Sequence, residues 1–518
     1  MGTGKAKSGS GLRALVLGSR LVPLAIVITL LAGCVTPNAA VQPATVAPPA
    51  SADAVAVVRT LAVGNATVAV ANATSTVALA VQPALFAIGH DAGEPTLGVT
   101  KDGTLFYAAS TFKNDIAGAA PLPLPRTDIL RSVDGGVTWK DVTPMLPGGV
   151  VRTHFDTGDP YVYVDPTTGR VFDIDQRLAT ACHTVTFSDD KGATWGPTDT
   201  PTCVGPAASD HQTIVAAKPH GAPVQGYANV VFVCWNSGPG TSCTRSFDGG
   251  RTFTPTVPPF LAADAGPSCG LVGHLKSAPD GTIYLPQECK GEVRVARSSD
   301  DGMSWSVAKV ATYTIPASGD PEYDPSVAID HAGNVYAVWE DSDGKLYLST
   351  STDKGAKWGP PIDILPPTLT VGHLPAMVAG DAGRLAIAYM GSDTKDGYKT
   401  SPENAPKEIW HGYLAVITDA LGAAPVATTV RVDPLADPLV HGACGPSFRC
   451  PGATDFLDVV IDADGRPWAS FVDACSAKCA AEVGGKNDQS LGSVGTLAQG
   501  PGLLANATAL PPMHAAEK

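Results

Sequence analysis

Short apolar runs separated by glycine turns recur along most of the chain. Thr96–Val99, for example, is followed by Asp102-Gly103 and then by a second apolar run at 105–108. Runs of this length bounded by Gly, Asp or Asn predict strands, and two of them around one turn predict a β-hairpin. Seven such hairpins begin near residues 95, 160, 212, 271, 325, 374 and 456.

An octapeptide recurs five times in phase with these hairpins. Its copies are SVDGGVTW at 132–139, SDDKGATW at 188–195, SFDGGRTF at 246–253, SSDDGMSW at 298–305 and STDKGAKW at 351–358. A period near 50 residues with four short strands per unit predicts a β-propeller. Within each copy, we expect Asp to accept hydrogen bonds from a tight turn and the aromatic residue to pack onto its blade.

The octapeptide resembles the Asp-box, or BNR repeat, of sialidases and related propellers. That resemblance implies that the boxes join the third and fourth strands of a blade, on the face away from an active site. We therefore predict an all-β fold, a β-propeller of four-stranded blades with Asp-box turns. Seven hairpins favour seven blades. Sialidase propellers have six, so six blades with a terminal hairpin outside the ring is the alternative.

Composition and charge exclude several classes of protein. The 55 Gly and 45 Pro among 518 residues are too many turn formers for a mainly helical chain. The net charge of -14 comes without a basic cluster, which excludes nucleic acids and anionic membrane surfaces as binding partners.

The first 33 residues have the pattern of an export signal. A basic segment precedes an apolar run at 21–31 that is too short to span a membrane. The sequence LAGC at 31–34 resembles the lipobox of prokaryotic lipoproteins, which implies that Cys34 carries a lipid anchor on the outer face of the cell membrane. An ordinary secretory signal is the alternative. We divide the chain into a signal peptide (1–33), an Ala/Val/Thr/Pro-rich tether (34–85), the propeller (86–505) and a tail (506–518).

The ten remaining cysteines fall in neighbouring pairs, which predicts local disulfides in an exported protein. Zinc sites are the rival interpretation, but no CxxC pair occurs. The predicted pairs are Cys182 with Cys203, Cys234 with Cys243, Cys269 with Cys289, Cys444 with Cys450 and Cys475 with Cys479.

Polar residues at the entries to the first strands are the candidates for chemistry, because these loops converge on the axis of a propeller. The entries contain Glu94, Asp159, Asp210, His211, His274, Asp324, His373 and Asp455, and the same loops contain His90, His154, Asp156, Glu322 and His441. Such groups bind a divalent metal or act as acid and base. Hydrogen bonding to exposed backbone is the structural alternative. The metal candidates are His90, His154, His211 and His373.

The sequence departs from the sialidase pattern at the residues that bind the substrate in that family. Gly93-Glu94-Pro95 stands where the family has Arg-Ile-Pro, so one arginine that grips the sialic acid carboxylate is missing. The candidates for a rebuilt cluster of ligand-binding arginines are Arg126, Arg152, Arg177 and Arg449. The resemblance also implies Asp115 as an acid/base residue. With it, the candidate catalytic carboxylates are Glu94, Asp159, Asp324 and Asp115.

Three functions fit these patterns. The first is a lipid-anchored surface propeller that binds a glycan or a protein at the centre of the ring. The second is a glycoside hydrolase that uses two of the entry carboxylates. The third is a metal-dependent enzyme centred on the entry histidines.

Overall fold

The structure, a computed structural model, describes the part of the chain from residue 57 to residue 513, with gaps. The described residues are 57–60, 81–111, 125–144, 157–177, 182–196, 200–202, 209–221, 224–237, 240–261, 269–314, 324–394, 408–423, 425–442, 456–475, 490–506 and 509–513. They contain strands and turns and no helix. The chain divides into two units, Met1–Ala50 and Ser51–Lys518, and all described residues belong to the second.

The strands form seven antiparallel sheets, one for each predicted hairpin. Strands β1 (Val57–Thr60) and β2 (Gln82–Asp91) precede the first blade. Blade I contains β3 (Thr96–Val99), β4 (Leu105–Thr111), β5 (Arg126–Ser132) and β6 (Lys140–Asp141). Blade II contains β7 (Thr157–Val164), β8 (Val171–Arg177), β9 (Cys182–Ser188) and β10 (Thr200–Thr202). Blade III contains β11 (Ser209–Ala217), β12 (Val230–Ser237), β13 (Gly240–Ser246) and β14 (Thr254–Pro255).

The remaining four blades follow in the same order. Blade IV contains β15 (Cys269–Val272), β16 (Lys276–Ser277), β17 (Ile283–Cys289), β18 (Glu292–Ser298) and β19 (Ser306–Thr312). Blade V contains β20 (Ser326–Ile329), β21 (Val335–Glu340), β22 (Leu346–Ser351) and β23 (Ile362–Asp363). Blade VI contains β24 (Val371–Ala379), β25 (Leu385–Ser392), β26 (Ile409–Ile417), β27 (Val426–Arg431) and β28 (Val440–His441). Blade VII contains β29 (Val459–Ile461), β30 (Pro467–Asp473) and β31 (Leu491–Gln499).

The chain closes the ring with its two ends. Strand β2 pairs with β31 and supplies the outer strand of blade VII, so this strand begins at Gln82, four residues before the predicted propeller boundary. The innermost strands contact one another around the axis, and β29 contacts β3. The seven-blade prediction is therefore confirmed, and the alternative of six blades with a loose hairpin is excluded. Strand β1 adds a sixth strand to blade VI through β27, and Leu510 of the predicted tail is buried.

The hydrophobic core lies between neighbouring blades. Phe172 of blade II packs in one cluster with Trp235 of blade III, and Tyr336 of blade V packs in another with Tyr389 of blade VI. All four side chains are at most 2% exposed. Burying an aromatic side chain of this size stabilises the fold by about 3 kcal/mol. The faces of the blades are thus held rigidly, which leaves the loops at the two ends of the ring to vary.

The five Asp boxes are turns between the third and fourth strands of blades I to V, as predicted. In the first box, Asp134 Oδ1 accepts hydrogen bonds from Ser132 Oγ (2.8 Å) and Thr138 N (2.9 Å), and Trp139 Nε1 donates to the Gly136 carbonyl (3.0 Å). The equivalent aspartates accept the same backbone hydrogen bond; they are Asp190, Asp248, Asp300 and Asp353. These carboxylates are occupied by their own turns. Their role is structural.

Two of the predicted disulfides are present among the described residues. They are Cys234–Cys243 and Cys269–Cys289. In both, the two cysteines lie opposite each other on neighbouring antiparallel strands. These four cysteines therefore form local disulfides, as the sequence predicted, and do not bind zinc.

The other predicted disulfides extend beyond the described residues. Cys182 and Cys475 are disulfide-bonded, but their predicted partners, Cys203 and Cys479, lie outside the described ranges, so these two pairings stay predictions. Cys444 and Cys450 both lie outside these ranges, and so does the predicted lipidation site at Cys34.

In the described part of the chain, no helix has the length and apolar character needed to cross a membrane.

Candidate functional site

The entries to the first strands have an unusual backbone. Glu94, Asp159, His211 and Leu374 have φ angles of 51°, 45°, 54° and 56°, a region that residues other than glycine rarely occupy. In blades II, III and VI this residue lies in a β-bulge, where the register shifts. Bulges re-aim side chains and occur often next to functional sites. We call this end of the ring the entry face and the opposite end the box face.

Three carboxyl groups meet on the entry face. Asp159 hydrogen-bonds with the side chains of Glu94 and Asp210, and Glu94 is only 5% exposed. The backbone N–H of His211 donates to Asp210 Oδ1 (3.1 Å) and lies 3.4 Å from Asp159 Oδ2. Burial opposes ionisation of Asp159, but the hydrogen bonds from Glu94 and Asp210 and the nearby His211 hold its pKa below the ordinary value. Hydrogen bonds between carboxyl groups require shared protons, so the three side chains act as one cluster.

A histidine–carboxylate pair lies beside this cluster. His211 Nδ1 is 2.7 Å from the Val272 carbonyl oxygen, which accepts only, so Nδ1 carries a proton. His211 Nε2 is 2.7 Å from Asp324 Oδ2. Both side chains line a small cavity of about 30 Å³, enough for about one water molecule.

Aromatic rings form the other wall of this cavity. The His274 ring lies 5.8 Å from that of His211 and 4.5 Å from that of Tyr161, and Phe456 packs edge-on against both histidines. Burial lowers the pKa of His274 far below its ordinary value, and the charges of Lys276 and His211 act in the same direction. His274 is therefore a neutral ring, and the entry face combines carboxylates with flat apolar surfaces.

No protein-family model and no curated protein sequence matches this chain. Among solved structures, the intramolecular trans-sialidase of Ruminococcus gnavus is 13% identical over 77% of this chain and 93% of its own, with a TM-score of 0.40. The leech intramolecular trans-sialidase is 13% identical over 78% and 68%, also at 0.40. A six-bladed fucose-binding lectin of Aleuria aurantia is 11% identical over 68% and 95%, at 0.37. These similarities are limited to the fold. The activities named for the three proteins are not assigned to this chain.

The predicted metal-binding histidines contact different carboxylates. His90 Nε2 lies 3.2 Å from Asp128 Oδ2, and His373 Nδ1 lies 2.7 Å from Glu340 Oε2. His211 contacts Asp324, as described above. In the described ranges, no three His, Cys, Asp or Glu side chains are arranged to hold one metal ion. His154 lies outside these ranges, so a centre that includes it stays a prediction.

One of the four predicted ligand-binding arginines is paired with a carboxylate inside its own blade. Arg126 is 4% exposed, and its Nε and Nη2 donate to the two oxygens of Asp128 at 3.0 and 3.2 Å. Its guanidinium is therefore held inside blade I. Arg177 ends β8 and is half-buried. The remaining candidates lie outside the described residues; they are Arg152, Arg449 and the acid/base candidate Asp115.

Some residues of the site escaped the sequence analysis. Glu340, which contacts His373, lies at the end of the second strand of blade V. Asp128, which contacts both Arg126 and His90, lies in the third strand of blade I. Neither residue was among the predicted site residues. The bulges were also missed, although Pro95, Pro160 and Pro375 directly follow three of the left-handed residues and mark their positions.

Proposed function

We propose that this protein is a lipid-anchored surface propeller that binds an uncharged carbohydrate at the entry face. The observation that carries the proposal is the meeting of Glu94, Asp159 and Asp210 beside the rings of His274 and Phe456. Carboxylates accept hydrogen bonds from sugar hydroxyls, and flat apolar rings pack against the C–H faces of a sugar. Pockets that bind small ligands combine apolar walls with a few fixed polar groups in this way.

The charges of the entry face argue against an acidic sugar as the ligand. The described entry face presents Glu94, Asp159 and Asp324, while Arg126 is held by Asp128. Gly93 stands where the sialidase resemblance would require an arginine. A sialic or uronic acid carboxylate would meet these acids, and like charges at short range repel.

The spacing of the acids favours binding over hydrolysis. Glycosidases that use two carboxyl groups keep them about 5–9.5 Å apart so that the glycosidic bond lies between them. Asp159 instead hydrogen-bonds directly with Glu94 and with Asp210. Neither contact leaves room for a sugar or a water molecule between the two acids. The cluster is therefore suited to hold hydroxyl groups, not to split a glycosidic bond.

We expect the full chain, embedded in lipid nanodiscs, to bind glycans that end in neutral sugars and not those that end in sialic or uronic acid. Asp159→Asn should weaken this binding about tenfold or more, since hydrogen bonds to a charged group contribute about 1.5–3 kcal/mol. The measurement is a glycan array followed by calorimetry. The matched control is Asp464→Asn, which removes one exposed carboxylate from the box face.

Three outcomes would overturn the proposal. One is binding of acidic glycans alone, and the second is an Asp159→Asn variant that is folded by circular dichroism and binds like the parent. Release of free sugar from the bound glycans would instead establish hydrolysis.

The anchor is tested separately in a bacterial host that processes lipoproteins. We expect the parent chain to incorporate a clickable palmitate analogue and to sediment with membranes, because Cys34 follows a short apolar run and the sequence LAG. Cys34→Ser should lose both the label and the sedimentation. A labelled Cys34→Ser chain, or an unlabelled parent, would contradict lipidation at this residue.

A further inference from the structure

A second cavity occupies the channel on the side of the box face. It has a volume of about 390 Å³ and is lined by residues from the innermost strands of all seven blades. Its rim includes Thr167 and Pro279, which lie in or beside turns between first and second strands. Because strands alternate in direction, these turns lie at the same end of the ring as the Asp boxes. The cavity therefore opens away from the entry face.

The wall of this cavity is mainly apolar. Five blades each present a half-buried apolar or aromatic side chain to it; these are Val99, Tyr163, Ile329, Val378 and Ile461. The volume lies within the range of about 300–1,000 Å³ that is typical of small-molecule sites. Replacing the water at an apolar wall by an apolar molecule lowers the free energy of the system.

Two acidic groups at this cavity are already satisfied by the protein. Asp458 is 2% exposed, and its oxygens accept hydrogen bonds from Leu97 N (3.1 Å) and Val459 N (2.9 Å). Burial raises the pKa of Asp458, which favours its uncharged form, although the charge of Lys276 acts in the opposite direction. Asp381 is not part of the lining, but it contacts His331, which is, at 2.8 Å.

Lys276 is the charged group of the wall that lacks such a contact. It is half-buried, and no carboxylate of the described residues lies within ion-pair distance of it. A charge that is partly withdrawn from water without a partner is costly, and an anion of the right size would offset that cost.

We propose that this cavity is a second binding site, which takes a small apolar carboxylate through the box face and holds its anionic group at Lys276. The apolar body of the ligand lies against the half-buried side chains of the innermost strands. The site is separate from the carbohydrate site of the entry face, so each proposal stands or fails by its own measurement.

The test uses three probes that share one apolar body and differ only in charge. The probes are 4-phenylbutyrate, 4-phenylbutanol and 4-phenylbutylamine, titrated calorimetrically into the full chain in lipid nanodiscs, with empty nanodiscs as the blank. We expect the carboxylate to bind at least tenfold more tightly than the alcohol and the amine not to bind. Lys276→Met should remove the preference for the carboxylate, and Lys276→Arg should keep it.

Two further variants distinguish the effect of the Lys276 charge from the effect of the cavity volume. Val378→Trp enlarges a side chain of the wall and should abolish binding of every probe while leaving the lysine in place. Lys218→Met removes an exposed lysine at the rim and should change the carboxylate affinity less than twofold. The proposal is overturned if no probe binds, if acid and alcohol bind equally, or if Lys276→Met binds the carboxylate as the parent does. Asp159→Asn should leave this binding unchanged, because it alters only the entry face.

Discussion

Replacing Gly273 by alanine is expected to lower the free energy of unfolding by about 3 kcal/mol, through overpacking between two blades. A Cβ atom at this position would lie 1.9 Å from the Pro325 carbonyl oxygen and 2.9 Å from Pro286 Cγ. The first of these atoms belongs to the backbone and cannot rotate away. Gly273 N also donates to the Pro286 carbonyl (3.1 Å), which holds the chain in this position. Urea unfolding followed by tryptophan fluorescence measures the loss.

The same substitution should also abolish carbohydrate binding. Gly273 precedes His274, and Pro325 follows Asp324, so relief of the clash displaces two residues of the entry face. Gly196→Ala is the control, because no atom lies within 4 Å of its added Cβ. A Gly273→Ala chain as stable as this control would show that blades IV and V separate at little cost.

Lowering the pH from 6.5 to 4 is expected to destabilise the propeller by on the order of 3 kcal/mol through His183 alone. The side chain is fully buried, with its ring 4.9 Å from that of Trp235. Burial lowers the pKa of His183 to about 4, although Asp159, Gln212 and Asp175 act in the opposite direction. The unfolded chain takes up this proton near pH 6.5 and the folded chain only near pH 4. Stability is therefore complete above pH 6.5 and is lost as the pH falls through this window.

Urea unfolding at half-unit pH intervals measures this dependence. His183→Gln should flatten the curve between pH 6.5 and 4, apart from the slope that His274 contributes in the same direction. His331→Gln is the control, because that side chain is 60% exposed. An unchanged slope in His183→Gln would contradict the assignment of the proton to this residue.

The blades could be predicted from the sequence because their signals are local. A glycine turn between two apolar runs and an Asp box after the third strand lie close together in sequence, and blades I to V repeat both. The position of β2 could not be predicted, because its partner β31 lies at the other end of the chain and both are unmarked apolar segments. The split of the first strand of blade IV into β15 and β16 likewise follows from a register shift against β17, which has no sequence signature.

The positions of the candidate residues along the chain could be predicted, but not which neighbouring side chain faces the channel. Glu94, Asp159, His211 and Asp324 lie at the entries where the sequence placed them. In blade VI the equivalent position belongs to Leu374, and His373 points to the buried Glu340. A bulge adds one residue and reverses the alternation of side chains along a strand, so spacing from the turn glycine does not fix which of two neighbours faces the channel.

Closure of the ring sets the order of folding. Ala92 and Ser490 are hydrogen-bonded although they are 398 residues apart in sequence. The ribosome delivers the N-terminal partner first, and β2 then has no edge to pair with until nearly the whole chain has emerged. Contacts of such long range form slowly, and a strand edge left open meanwhile invites pairing with other chains. A chain that ends before β31 lacks the partner of β2, so blade VII stays open and six finished blades are left without closure.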